Sequence, residues 1–71
     1  MISRYDLAKL RAIFPKGTRI KLVKMDDPQA PPVGCLGTVK SVDDIGSLVV
    51  HWDNGSRLNV VYGEDEVDKV D

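Results

Sequence analysis

The sequence predicts a small, mainly β domain in which one short N-terminal helix precedes five short strands that curl into a barrel. Three observations carry this expectation. The apolar period changes from near 3.6 to 2 at Thr18. Beyond that point turn-forming clusters recur, notably Asp43-Asp44-Ile45-Gly46 and Asp53-Asn54-Gly55. Each intervening apolar run spans only about 4–8 residues, too narrow for a stable open sheet unless it closes on itself.

The helix is expected over residues 3–14. Ser3 is placed to cap a free backbone N–H, and Asp6 three positions later completes a capping-box-like pair. Leu7, Leu10 and either Ile13 or Phe14 form one apolar stripe backed by Lys9 and Arg11, and Pro15 and Gly17 end the helix. So short a helix is stable only if Leu7, Leu10 and Phe14 dock on the rest of the domain. The barrel is expected over residues 17–71. Its first strand runs from Thr18 to about Met25, with Ile20 and Leu22 on one face and Arg19 and Lys21 on the other. Residues 26–34 hold three of the four prolines and read as an extended, stiff loop. Residues 37–42 and 48–52 are the second and third strands. Asn54-Gly55, which tolerates positive φ at both central positions, predicts a tight hairpin into a fourth strand over about 57–61. After an irregular stretch at 62–65, a last strand contains Val67 and Val70.

With 71 residues the chain accommodates one domain, 1–71, which buries only roughly 60% of the surface its unfolded form exposes. Shallow surface recognition is therefore expected over a deep catalytic cleft. A single cysteine, Cys35, excludes an internal disulfide, and a single histidine, His51, removes most zinc constellations. No metal and no cofactor are expected. No nucleophile or acid–base set can be assembled without Cys35 or His51, so no catalytic residue is assigned and the chain is read as a non-enzyme. Cys35 is read as a small apolar residue at a strand entrance, and His51 as a solvent-facing strand residue. No run approaches a membrane span and the first residues lack a signal-peptide pattern, so a cytoplasmic protein without a membrane partner is expected. Asn54-Gly55-Ser56 matches a glycosylation pattern but is read as a turn.

The net charge of −1 conceals an asymmetry. Residues 1–25 carry seven bases against Asp6, a balance of +6, whereas residues 26–71 carry three bases against ten acids, a balance of −7. Interleaved halves would neutralise each other in rim pairs, and segregated halves would leave a face that attracts a polyanion.

Five short strands with a long loop after the first and tight turns between the next three resemble an SH3-like barrel. Phe14-Pro15-Lys16-Gly17-Thr18-Arg19-Ile20-Lys21-Leu22, Met25-Asp26-Asp27-Pro28, Gly37-Thr38-Val39 and Trp52-Asp53-Asn54-Gly55-Ser56, in that order, resemble the domain of unknown function 4314 family. The resemblance covers most of residues 14–70. It implies a small protein of a bacterium, phage or mobile element and assigns no activity. The segment from Val50 to Arg57, with Tyr62-Gly63, is also similar to the peptide-binding Mib/Herc domains, a likeness read as convergence on a hairpin. Gly37-Thr38-Val39 is similar to the short turn of nucleic-acid-binding barrels of the KOW kind.

Two candidate sites follow. The first is a protein- or peptide-binding edge in which Tyr62 and Trp52 stand beside the loop residues Asp26, Asp27 and Pro28, framed by the turn at Asn54. Trp52 is read first as the largest core residue, since it alternates with Val50 and Leu48 on one face, and the surface platform is the rival reading. Asp26-Asp27 and Asp43-Asp44 lack the ligand spacing of a calcium loop and read as turn-forming acids. The second candidate site is a phosphate-binding strip of Arg4, Arg11, Lys16, Arg19 and Lys21 on the helix and first strand. The function expected is a non-enzymatic binding module for a protein or peptide. The alternatives are nucleic-acid binding through the basic strip and, from the phage setting of the family, sequestration of a small nucleotide signal. No oligomeric state is specified by the sequence.

Overall fold

The computed structural model describes residues 2–70. It is mainly β, with one helix, α1 (Arg4–Ile13), and five strands, β1 (Arg19–Lys24), β2 (Leu36–Val42), β3 (Ser47–Trp52), β4 (Val60–Val61) and β5 (Glu66–Lys69). All pairings are antiparallel, and the sheet order is β4-β3-β2-β1-β5. The first four strands meander, and β5 returns beside β1. The expected closure of the barrel is not made, because β4 and β5 are the two edges of one sheet and do not pair with each other. Two residues of β4 offer too little backbone to close the ring.

Ser3 caps α1, its hydroxyl accepting from the Asp6 N–H at 3.0 Å. The reciprocal bond of a capping box, from the Ser3 N–H to the Asp6 carboxylate, is not made. Leu10 and Phe14 pack against the core, while no helix residue is fully buried. The helix is a lid over one part of the sheet, held further by Arg11, which donates to Asp44 at 2.8 Å in the β2–β3 turn.

The strand alternation read from sequence places Ile20, Leu22, Val39, Leu48, Val50, Trp52 and Val60 in one buried cluster on the inner face. Burying side chains of this size contributes roughly 1.5–3 kcal/mol each, the largest favourable share of folding. Gly37 lies directly opposite Trp52 across β2 and β3. A methyl group at Gly37 would sit 2.7 Å from Trp52 Cε3 and 2.8 Å from Val50 Cγ1, so only glycine leaves room for the indole.

The first hairpin turn has its positive φ at Gly46, as its residues suggest, whereas the second differs from the tight form expected of Asn54-Gly55, in which both positions would have positive φ. At the second, the Gly55 N–H donates to the Trp52 carbonyl and the Trp52 N–H to the Ser56 carbonyl, and only Gly55 has positive φ. The loop is therefore three residues ending on a left-handed glycine. The first turn repeats this pattern with Gly46 donating to Asp43 and Asp43 to Ser47. The fourth strand is shorter than the 57–61 expected. The Leu58 carbonyl turns inward to accept from Trp52 Nε1 at 2.9 Å, and Ser56 Oγ takes the Leu58 N–H, so residues 57–59 leave the ladder. Val70 lies just past β5, its N–H still donating to the Arg19 carbonyl.

A candidate recognition cleft and the two basic anchors

The residues between β4 and β5 decide what the open side of the sheet presents. Tyr62-Gly63-Glu64-Asp65 forms a tight turn in which the Glu64 and Asp65 N–H groups both donate to the Val61 carbonyl. The Asp65 carboxylate accepts from the Val61 N–H at 2.8 Å, and Gly63 supplies the left-handed residue with φ of 84°. The outward backbone groups of Val61 are thus consumed, which blunts this edge against an added strand. The same turn throws the Tyr62 side chain outward, 49% exposed.

Beside Tyr62 lies a cleft of about 500 Å³, bounded by α1, β4, the 62–65 turn and β5. Its apolar walls are Leu10, Phe14, Leu48, Val60 and Val67, and its rim carries Lys24, Glu64, Asp65 and Glu66. The volume falls within the range of ligand pockets generally. Two smaller depressions adjoin it, one of about 190 Å³ against Lys9 and Ile13 and one of about 390 Å³ against Ile2, Ile45 and Val61, and Tyr62 lines all three. Around it, Ile13, Ile45 and Val61 are exposed apolar side chains. Lys24 faces Glu66 across the β1–β5 pair, so Glu64 and Asp65 give the rim its net negative charge.

The structure separates the residues expected to form an aromatic edge. Trp52 is 2% exposed, and its only polar atom is engaged within the core, so it is a core residue and not a surface platform. Its area is worth more buried than displayed. Asp26, Asp27 and Pro28 are exposed on the loop after β1, but Tyr62 lines depressions built by α1 and β4 instead of by this loop. Asp27 serves a turn, its carboxylate accepting from the Gln29 N–H at 2.8 Å. Asn54 likewise holds its own turn, accepting from the Ser56 N–H. What sequence reasoning missed is the cleft wall: Leu10, Phe14 and Val67 were legible as apolar, and the Glu64-Asp65-Glu66 run next to Tyr62 was the available signal for the rim.

The basic strip is also divided. Arg19 makes a two-pronged bond to Asp53, at 2.9 Å and 2.7 Å, and donates a third to Thr38 Oγ1. Arg11 pairs with Asp44. Asp44 and Asp53 lie in the turns at opposite ends of β3, a six-residue strand about 20 Å long, so the two guanidinium groups do not converge. The basic front and acidic rear of the chain interleave at these two places. Arg4, Lys16 and Lys21 are exposed and make no ion pair among the described residues.

The hydrogen bonds from Arg19 hold the Asp53 carboxyl below its ordinary value of 3.8, and the same bonds raise the Arg19 guanidinium. Because the folded value is the lower one, the pair's contribution to stability is complete above 3.8 and is lost as pH falls through the folded value. A carboxyl-carbon NMR titration should show Asp53 ionising below 3.8 in the native protein and returning towards 3.8 in Arg19→Gln. An Asp53 midpoint unchanged by Arg19→Gln contradicts the assignment.

Cys35 packs against the core, whereas His51 projects from the opposite, outer face, so the two do not form a nucleophile and base. Among the described residues no cluster of three His, Cys, Asp or Glu side chains is placed to hold a metal ion, and no helix is long and apolar enough to cross a membrane. Comparison with curated proteins and with solved structures finds no match to either. A family model does match, that of the Domain of unknown function (DUF4314), over residues 3–70, and the chain belongs to that family.

Proposed function

We propose that this chain is a non-enzymatic recognition module that binds a cationic, apolar-anchored stretch of a partner protein in the cleft between α1, β4 and β5. The observation that carries the reading is the cleft itself, with apolar walls, the half-exposed Tyr62 at its side and a net acidic rim. Such a surface suits an aliphatic or aromatic anchor residue flanked by Lys or Arg, the anchor gaining from desolvation and the flanking charges from the rim. Because the Val61 backbone is already satisfied, recognition runs through side chains and not through strand addition at β4. The setting we infer, following the family resemblance, is the cytoplasm of a bacterium and the service of a phage or mobile element.

The test is selection of peptides from a random displayed library on the immobilised protein, followed by affinity measurements on the enriched sequences. The expected sequences pair one large apolar residue with neighbouring Lys or Arg. Tyr62→Ala should weaken them by about tenfold or more, on the order of 1.4 kcal/mol, while leaving the melting temperature nearly unchanged. Glu64→Lys should weaken them as well, increasingly so at low salt. Enriched peptides that bind Tyr62→Ala as tightly as the native chain contradict the reading.

A further inference from the structure

The outer face of the sheet, away from the cleft, gathers three cationic or protonatable groups that the recognition reading leaves unused. His51 projects outward from β3, and across the β2–β3 register it faces Thr38. Lys40 is the extra residue of the bulge between Val39 and Ser41, and it too is exposed on this face. Beyond the hairpin, the bond from the Trp52 N–H to the Ser56 carbonyl continues the antiparallel course and brings Arg57 alongside His51. Neither Lys40 nor Arg57 takes part in an ion pair among the described residues, and the Arg57 guanidinium donates only to the neighbouring Ser56 carbonyl. The nearest acid along the strand, Asp53, is held by Arg19. The positive field is felt at the imidazole, whose ionisation is lowered by desolvation and then by the charges of Arg57 and Lys40.

We propose that Lys40, His51 and Arg57 form a contact surface for the phosphodiester backbone of duplex nucleic acid. The groups are spread over two strands and the segment beyond the hairpin on an open face, an arrangement that meets a repeated anion better than a single one. Of the four aromatic side chains, Phe14 and Trp52 belong to the core side, Tyr5 to the helix and Tyr62 to the cleft. The outer face therefore offers no stacking platform for unpaired bases, and its contacts are to phosphates. The surface stands on different residues from the divided strip of Arg4, Arg11, Lys16, Arg19 and Lys21, of which Arg19, bonded to Thr38 and Asp53, borders it. A chain of net charge −1 holds such a ligand through this local field, so binding is expected at low salt and steeply weakened by added salt.

His51 is the only histidine, so its ring proton gives one unambiguous NMR signal. The experiment titrates this signal with pH in the native protein alone, with a short DNA duplex at low salt, and with inorganic phosphate at the same phosphate concentration. A bound anion favours the imidazolium, so the duplex should move the His51 midpoint upward and its affinity should rise as pH falls through that midpoint. Inorganic phosphate should leave the midpoint in place. Charge reversal by Lys40→Glu with Arg57→Glu should cost about tenfold or more in duplex affinity and lower the slope of log affinity against log salt by about two. His51→Gln should retain binding but lose its pH dependence, and Tyr62→Ala should bind DNA as the native chain does. A midpoint unmoved by the duplex, an equal movement with inorganic phosphate, or full binding by the doubly reversed variant overturns the proposal.

Discussion

Trp52→Ala removes a large part of the chain's stability at about 25 °C and shifts its urea midpoint far down. Trp52 is the largest fully buried side chain, and its indole N–H is bonded to the Leu58 carbonyl that draws residues 57–59 out of the sheet. Removing a buried tryptophan side chain typically costs about 3–5 kcal/mol. At roughly 0.05–0.15 kcal/mol per residue, a chain of 71 residues is stabilised by only about 4–11 kcal/mol in total. Far-UV circular dichroism and urea titration check this. Trp52→Phe keeps an aromatic ring but strips the Leu58 carbonyl of its partner, and it should be intermediate. As the only tryptophan, Trp52 also reports on itself: emission from the native protein should be blue-shifted and should move to the red on unfolding. A folded Trp52→Ala of near-native midpoint contradicts the placement of the indole in the core.

Gly37→Ala lowers the melting temperature by about 5–20 °C. The glycine is required here by contact and not by backbone angle, since it has no positive φ while a Cβ would meet Trp52 Cε3 at 2.7 Å and Val50 Cγ1 at 2.8 Å. Both neighbours are fully buried and cannot swing away. Overpacking of this kind costs about 1–3 kcal/mol, and in a domain of this size each kcal/mol moves the melting temperature by about 4–8 °C. The penalty should be smaller when Gly37→Ala is made in the Trp52→Phe background, because the narrower ring relieves the clash. Equal penalties in the two backgrounds would contradict the stated cause.

The outcome at Trp52 and Tyr62 marks how far the sequence reaches. Alternation along β1 and β3 was enough to put Ile20, Leu22, Leu48, Val50 and Trp52 on the inner face, because a period of two fixes which side each residue takes. The helix with its Ser3 cap and the turns at Gly46 and Gly55 were legible for the same local reason. Barrel closure was not, since it depends on whether two edge strands reach each other, and β4 is cut to two residues by a bond made across the hairpin, from the Trp52 indole to the Leu58 carbonyl. Nor could spacing show that Arg11 and Arg19 would be drawn to Asp44 and Asp53, because both pairs join residues more than thirty positions apart. The Tyr62 cleft is a tertiary feature of this sort: its walls come from the helix, three strands and a turn, each readable alone and none announcing the others.

The most direct test of the recognition reading is a backbone and side-chain shift map of the native protein titrated with a library-selected cationic peptide. The account predicts that shifts concentrate at Leu10, Ile13, Tyr62, Gly63, Glu64 and Val67 and disappear in Tyr62→Ala. Shifts confined to the 26–33 loop or to the outer face around Lys40 and His51, with the cleft residues unmoved, would contradict it.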